Sequence, residues 1–478
     1  MRYVSLMTAI LSLCALGSAA APLTFPGTPG RQYKSSDRTV GIYVFHWYTP
    51  TAGQTKSVWK PLEGRENWDG SVEFWKRQVK DIMDANIDII HVHLIDGHEP
   101  QRVNLFKALS ELRAEGYKTP NVVPFLDPAI TFHGRGSHLP NVDVALPAGR
   151  DRFCGQYVRF YQQYFSVNTD EHAASYLGIM DGKPMLNVWS VSAPQMKNKD
   201  SLQREHVESY LKERLGDLFA KGIFMSSIIP DDTGLKWSDE WHRSFVGYCG
   251  DYLLKDGDVA SLKPGHYDTL DRFLARNGGK GYSEAWDRIL RARSIRRVLI
   301  ESWNEYTEGT GLYEVANLEP DYGDPKYKPH DDRWGESSRT YIDITADKAA
   351  RFNNVPELDA RFLWHNLPKK MEALSTAKVT VILRNEGDRK WERAAGFHFR
   401  QLLSDDFRFL GGPVRWDDAA SEIPKYGGIF RGRPVAFEFE ITAPEKPGEV
   451  VTQWSMCSLG GRPFGERLQW HIQIVADR

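Results

Sequence analysis

The sequence predicts a (β/α)8 TIM barrel followed by a small all-β sandwich, and three observations carry that reading. Between residues 39 and about 365, apolar β-branched runs alternate with stretches of helical period. No glycine-rich phosphate turn follows the first run, which argues against a doubly wound open sheet. After about residue 375 the helical period vanishes, and short alternating runs separated by turn residues take over.

The elements follow in order. TVGIYVFHWY (39–48) is a β-branched and aromatic run, and EFWKRQVKDIMDAN (73–86) repeats apolar residues at helical spacing through Phe74, Val79, Ile82 and Met83. IDIIHVHLI (87–95) is the second strand, and NLFKALSELRAEG (104–116) is a helix stopped by Gly116 and Pro120. NVVPFLD (121–127), KPMLNVWSV (183–191), GIFMSSIIP (222–230), FVGYCGDY (245–252) and RRVLIESW (296–303) supply further strands. Helices are expected around 151–165, 203–221, 267–277 and 283–293. That makes seven strands before residue 304, with an eighth short or irregular. A helical tail over 337–354 and the ELDARFLWHNLPKKM stretch are expected to close the barrel domain. KVTVILRNEG, GFHFRQL, RPVAFEFEIT, VVTQWSM and RLQWHIQIV then read as the sandwich strands. The expected division is a signal peptide over 1–20, a barrel over 21–365 and a sandwich over 376–478.

Composition narrows the class. The 478 residues carry 61 Lys+Arg against 63 Asp+Glu, a formal charge of −2, so no basic footprint for nucleic acid exists. Aromatic residues are abundant, at 23 Phe, 20 Tyr and 15 Trp, which fits either core packing or stacking on sugar rings. Arg2, an apolar run to Leu16 and the small-residue stretch GSAAA form a secretory signal pattern, with cleavage expected near Ala20. That run is too short to span a membrane, and no other stretch is long and apolar enough, so no membrane partner is expected. Cys154, Cys249 and Cys457 survive cleavage, allowing one bridge at most, and no Cys-x-x-Cys pair suggests zinc or redox work.

Catalytic side chains of a barrel lie at the C-terminal ends of its strands. The richest such place is ESWNEYTEGTG (301–311), with Glu301, Glu305 and Glu308 beside Trp303, Asn304 and Tyr306. Were Glu305 and Glu308 to open a helical turn, their Cβ atoms would stand about 5–6 Å apart. Two close carboxylates do not ionise independently, so one holds a proton while the other serves as base, the division glycosidic cleavage needs. A solvated acidic loop is the plainer alternative. On the second strand, alternation puts His91 and His93 on one face. With Asp96 they suit hydrogen bonding to a ligand, a metal centre of the amidohydrolase kind, or simply a satisfied core. No matching histidines follow on later strands, so no metal or cofactor is assigned. Asp127, Trp189, Asp231, Asp232, Trp47 and Tyr48 complete the candidate substrate-binding set, although Asp127 before Pro128 also suits a turn cap. The long loops 49–72 and 129–149 are expected to wall the cleft.

WNEYTEGT (303–310) and YVFHWY (43–48) resemble strand ends of the endo-α-mannosidase-like glycoside hydrolases, with counterparts to KPGHYD (263–268) and YIDITADKAARFN (341–353) in the same order. GRENW, ANIDIIHVHLI and ESWNEYTEG bring most of the chain closer to a poorly characterised secreted family of similar barrels. The resemblance implies a retaining, endo-acting hydrolase of α-linked carbohydrate. Glu305 would assist the sugar's 2-hydroxyl as nucleophile, through an epoxide-like intermediate, and Glu308 would be the general acid/base. Tyr306 for Trp, Thr307 where His is frequent, and His46 for Pro depart from that pattern and bear on substrate more than on reaction type. RNEGDRKW (384–391) and RPFGERL (462–468) resemble the immunoglobulin-like domain of autophagy-receptor proteins, which implies that Trp391 and Trp454 are core residues. A metal-dependent amidohydrolase using His91 and His93, and a non-catalytic polysaccharide-binding protein, are the other function classes.

Overall fold

The computed structural model describes all residues except 1–31, 49–56, 65–66, 96–98, 133–141, 166–172, 229–231, 249–252, 254–256, 269–271, 324–326, 393, 404–407, 410–427 and 477–478. The signal pattern and its cleavage point, Asp96, Asp231 and Cys249 therefore lie outside the described residues.

Eight parallel strands close on themselves. They are β1 (Thr39–Val44), β2 (Ile89–His93), β3 (Asn121–Leu126), β4 (Lys183–Val188), β5 (Phe224–Ile228), β6 (Glu240–Val246), β7 (Val259–Leu262) and β8 (Arg297–Ile300). Each pairs with its neighbour in sequence, and β8 pairs with β1 in the register Thr39↔Arg297 to Ile42↔Ile300. Sequential parallel pairing with closure is the (β/α)8 barrel. The helices are α1 (Val72–Asp84) after β1, α2 (Glu99–Ala114) after β2, α3 (Pro147–Tyr164) after β3, α4 (Arg204–Leu215) after β4, α5 (Lys280–Arg291) after β7 and α6 (Thr340–Asn353) after β8. Ser71 caps α1 through its side chain, which accepts from the Phe74 amide, and the helix buries Phe74, Trp75, Val79, Ile82 and Met83 on one stripe.

Two expectations are corrected here. The strand placed at 245–252 is β6, which begins at Glu240, and the four-residue β7 is the strand that sequence periodicity passed over. The helix expected over 267–277 is absent. His266–Tyr267 and Phe273–Leu274 form a short antiparallel pair instead, because aromatic and apolar residues there pack across a hairpin. Tyr267, for instance, meets Phe273 at 5.9 Å between ring centroids. Among the described residues no helix separates β5 from β6 or β6 from β7, so the outward residues Trp241 and Arg243 of β6 stay half-buried.

The barrel lumen is packed in layers. At the N-terminal end Ile89, Val123, Met185 and Phe224 meet beneath Tyr33 and Met180 in an apolar plug. Above them the lumen turns polar. The buried His242 ring lies 3.2 Å from Ser226 Oγ through Nε2 and 3.0 Å from Ser261 Oγ through Nδ1. Gly41 on β1 makes this layer possible, since a Cβ there would stand 2.7 Å from His91 Nε2.

The sandwich strands are β9 (Ala360–His365), β10 (Lys370–Glu372), β11 (Thr376–Asn385), β12 (His398–Leu403), β13 (Arg408–Phe409), β14 (Pro434–Thr442), β15 (Gly448–Cys457) and β16 (Pro463–Val475). They form two four-stranded sheets, β9-β11-β14-β13 and β10-β16-β15-β12. Residues 360–372, which the sequence pattern attached to the barrel's tail, pair into these sheets. Trp391 and Trp454 are fully buried between the sheets, with Trp454 stacked on Phe399 at 5.5 Å.

A buried ionic cluster ties the sandwich to the barrel. Asp84, the last residue of α1, accepts from Arg433 Nε at 2.9 Å and from its terminal nitrogen at 2.7 Å, and from Arg339 at 3.0 Å. Lys118 also pairs with Glu386 across the junction. Asp84→Ala would leave the buried Arg433 without its carboxylate, while Arg339 keeps Asp81 at 2.8 Å and Glu314 at 3.5 Å, so it is expected to cost about 3–5 kcal/mol. Chemical denaturation of the purified variant against the parent protein checks this.

Candidate active site

The end of β8 is built into β1. Beyond the last ladder pair, Trp303 N–H donates to the Tyr43 carbonyl at 2.8 Å. The fully buried Asn304 side chain then imitates a strand, accepting from the Phe45 amide at 2.9 Å and donating to the Phe45 carbonyl at 2.6 Å. This seam sets Glu305 beside Tyr48. Tyr48 and Thr307 hydroxyls both donate to Glu305 Oε1. The Glu305 backbone amide is taken by Ser302 Oγ at 2.7 Å. Glu305 and Glu308 lie in a turn closed by Gly309 N–H on the Tyr306 carbonyl, at 3.2 Å. The turn does not continue into a helix, because Gly309 takes a positive φ of 58°, Thr310 N–H closes on the Glu305 carbonyl at 3.2 Å, and the chain leads back toward β8.

Electrostatics separates the two carboxyls. Glu305 is buried, and burial, then the charge of Glu308, raises its carboxyl to about 7 despite the donors Thr307 and Tyr48. Glu308 stays half-buried and faces cations, with Arg272 at 3.5 Å and Lys263 at 3.7 Å. Lys263 directly follows β7 and is buried, with its ammonium 3.1 Å from Glu301. Burial pulls the Lys263 ammonium down, but Glu301 and Glu308 outweigh it and hold the group above its ordinary range. Tyr248, after β6, donates to the other Glu301 oxygen at 2.6 Å. At the end of β3, Asp127 accepts from the Ala129 amide at 2.9 Å as the cap of the turn 128–131. Burial raises its carboxyl to about 6, with Glu301 and Glu308 contributing from across the mouth. Ends of β1, β3, β6, β7 and β8 thus converge on one acidic site with a buried cation.

The aromatic candidates divide. Trp189 at the end of β4 is half-buried, 5.9 Å from the Tyr43 ring and 6.4 Å from Phe245. Trp303 is fully buried and donates from Nε1 to Gln78 at 2.9 Å, and Tyr306 is buried among Tyr48, Trp68 and Tyr313. Both belong to the core beneath the turn, where Gln78 holds Trp303 and Trp68 and Tyr313 pack on Tyr306. Trp47 is buried against His93 at 4.8 Å. His91 and His93 do face the lumen, but both are buried among rings, His91 against Tyr43 and His93 against Phe45, Trp47 and Phe125. Burial lowers both imidazoles to about 3. Among the described residues no three His, Cys, Asp or Glu side chains stand together as a metal site. Asp232 is exposed in the loop after β5, where its carbonyl accepts from Lys199. The sequence reading omitted Tyr248, Lys263, His266, Asp268 and Thr307 from the site. The KPGHYD run was the available signal, and the missed strand β7 hid its place at a strand end.

Comparisons with known proteins add the following. Residues 368–474 match the family described as the Ig-like domain from next to BRCA1 gene. No curated protein matches the chain. Among solved structures, the GH99 endo-α-mannosidase of Bacteroides thetaiotaomicron is 13% identical, with a TM-score of 0.47 over 68% of this chain and 99% of that one. A family 39 glycoside hydrolase of Bacteroides cellulosilyticus is 10% identical, with a TM-score of 0.34 over 87% and 83%. The β-glucuronidase of Parabacteroides merdae is 7% identical, with a TM-score of 0.35 over 95% and 50%.

Two outcomes follow from this geometry. Asn304→Ala leaves a buried amide and carbonyl of Phe45 without partners, so it is expected to destabilise the fold by about 2–4 kcal/mol, measured by denaturant titration. Glu305, ordinarily near 4.5 and here about 7, binds its proton more tightly folded than unfolded. Its contribution is therefore fully present below the ordinary value and lost as pH rises through 7, by at most about 3 kcal/mol. Glu305→Gln should melt progressively higher than the parent protein between pH 5 and pH 8, a difference that calorimetry reads directly.

Proposed function

We propose that the protein is a secreted, retaining glycoside hydrolase that cuts an α-linked oligo- or polysaccharide internally. The observation that carries this reading is the buried Glu305 carboxyl, raised to about 7 next to the more open Glu308 at the end of β8. A base is most effective when its proton affinity lies near the working pH, and Glu305 meets that condition for abstraction from a sugar hydroxyl. Tyr48 and Thr307 hold the carboxylate in place as it forms.

In the proposed reaction Glu305 takes the proton of the 2-hydroxyl, whose oxygen attacks the anomeric carbon. Glu308 gives its proton to the departing glycosidic oxygen. Water then enters at the anomeric carbon, giving a proton to Glu308, while Glu305 returns its proton to the 2-oxygen. Both carboxyls end as they began, and two displacements retain configuration. The half-buried Trp189 offers a ring for a sugar to stack on, and Asp127 an oxygen for a hydroxyl. Secretion rests on residues 1–20. In cells expressing the full chain, the exported protein should begin after Ala20 by N-terminal sequencing.

Glu305→Gln and Glu308→Gln are each expected to lower turnover by at least about 10²–10⁴-fold on α-mannan and other α-linked glycans, read as released reducing ends. Turnover like that of the parent protein in either variant sinks the assignment, and glycan binding without any released ends in the parent protein replaces it with a binding function. For the parent protein, kcat/KM should fall as pH rises through about 7, because the reaction needs one proton on the pair and Glu305, beside an already charged Glu308, gives up the last one there.

A further inference from the structure

One cluster at the barrel mouth is not used by the proposed proton transfers. His266 is buried, with Nδ1 3.1 Å from Lys263 Nζ and Nε2 3.1 Å from Asp268 Oδ2. An ammonium can only donate, so Nδ1 must be the bare nitrogen and accept from Lys263. The ring proton then sits on Nε2 and is donated to Asp268. Asp268 is itself fixed, accepting from Arg272 Nε at 2.6 Å and from the Arg272 amide at 3.1 Å. Three residues of KPGHYD thus form a directed chain: Asp268 orients His266, and His266 takes one of the three Lys263 donors. A second donor goes to Glu301, and Lys263 stands 3.7 Å from Glu308 Oε2.

We propose that Asp268 and His266 are positioning residues, which hold the Lys263 ammonium at Glu301 and Glu308 so that fixed positive charge meets the negative charge formed on Glu308 when its proton leaves. This inference rests on the hydrolase reading for its catalytic part, while the tautomer and contact of His266 stand apart from it. The stabilisation belongs to a preorganised kind, because the charge is in place before the proton moves and no side chain must turn. A lysine with a flexible four-carbon stem does not hold such a position unaided. The charged and titratable groups around His266 are Lys263, Asp268, Arg272 and Glu308. Burial and then Lys263 lower the imidazole below its ordinary range, so it stays neutral and able to accept.

The test joins nitrogen NMR of labelled histidine to kinetics on the full chain, with the His266 signal assigned by its loss in His266→Gln. In the parent protein His266 should carry its proton on Nε2 and titrate below an ordinary imidazole. In Lys263→Met its titration should move upward. His266→Gln and Asp268→Ala should each lower kcat by on the order of 10–100-fold with KM within about twofold. The double variant should lose little more than either single one. A proton on Nδ1, ordinary titration of His266 in the parent protein, or kcat unchanged in His266→Gln at a retained melting temperature overturns the proposal. If the parent protein hydrolyses no glycan while His266 keeps the stated tautomer and its response to Lys263→Met, the hydrolase reading fails and the relay stands as a structural one.

Discussion

The seam between the first and last barrel strands governs the rest of the site. Regular pairing of β8 with β1 ends at Ile42↔Ile300, yet the two strands stay joined through Trp303 and the two hydrogen bonds of Asn304 to Phe45. An amide side chain carries one acceptor and one donor set at the spacing of a peptide group, so asparagine can continue a ladder that the backbone has left. Freed from the ladder, the chain at 305–309 turns over the mouth while remaining anchored. Glu305 and Tyr48 meet only because of that arrangement.

Burial at this seam carries an energetic cost. Glu305 lies where a charge is poorly solvated, and its two hydroxyl donors do not fully offset the desolvation. A few ångströms away, Lys263 and Arg272 face Glu308, and Lys263 also meets Glu301. One mouth therefore holds a carboxyl kept from water and a second kept among cations. The contrast is what makes two chemically identical side chains distinguishable. Stability and reactivity pull against one another here, as they do wherever an ionisable group is held in an unfavourable setting.

Much of the fold was legible, because alternation of strand and helix period survives in sequence. β1, β2, β3, β4, β5 and β8 each lie within apolar runs that the sequence marks. β7 was not legible, since VASL is four residues long and holds a serine that faces the lumen to meet His242. β6 was displaced for a related reason: its buried residues Glu240 and His242 are polar and paired inside the barrel, with Arg297 and with Ser226 and Ser261, so hydrophobicity did not mark them. The Glu305 and Glu308 pair and the lumen-facing His91 and His93 were visible from spacing. Their settings were not, because burial of a ring or carboxyl depends on residues hundreds of positions away. Trp303 and Tyr306 are the plainest instance, adjacent to the site in sequence yet turned into the core in space.

By itself the sequence determined the two-part architecture, the place of the acidic turn after a late barrel strand, and the core role of Trp391 and Trp454. The first two rest on local period or spacing, which the backbone geometry of strands and turns translates directly into structure, and the third is what the resemblance of the C-terminal runs to an immunoglobulin-like domain implies. The tertiary structure alone decided that Glu305 is buried against Tyr48, that Lys263 and His266 join the mouth, and that β9 belongs to the sandwich. Those outcomes depend on closure of the barrel and on pairing between distant segments. Closure fixes which side chains share a dielectric environment, and no local pattern encodes that.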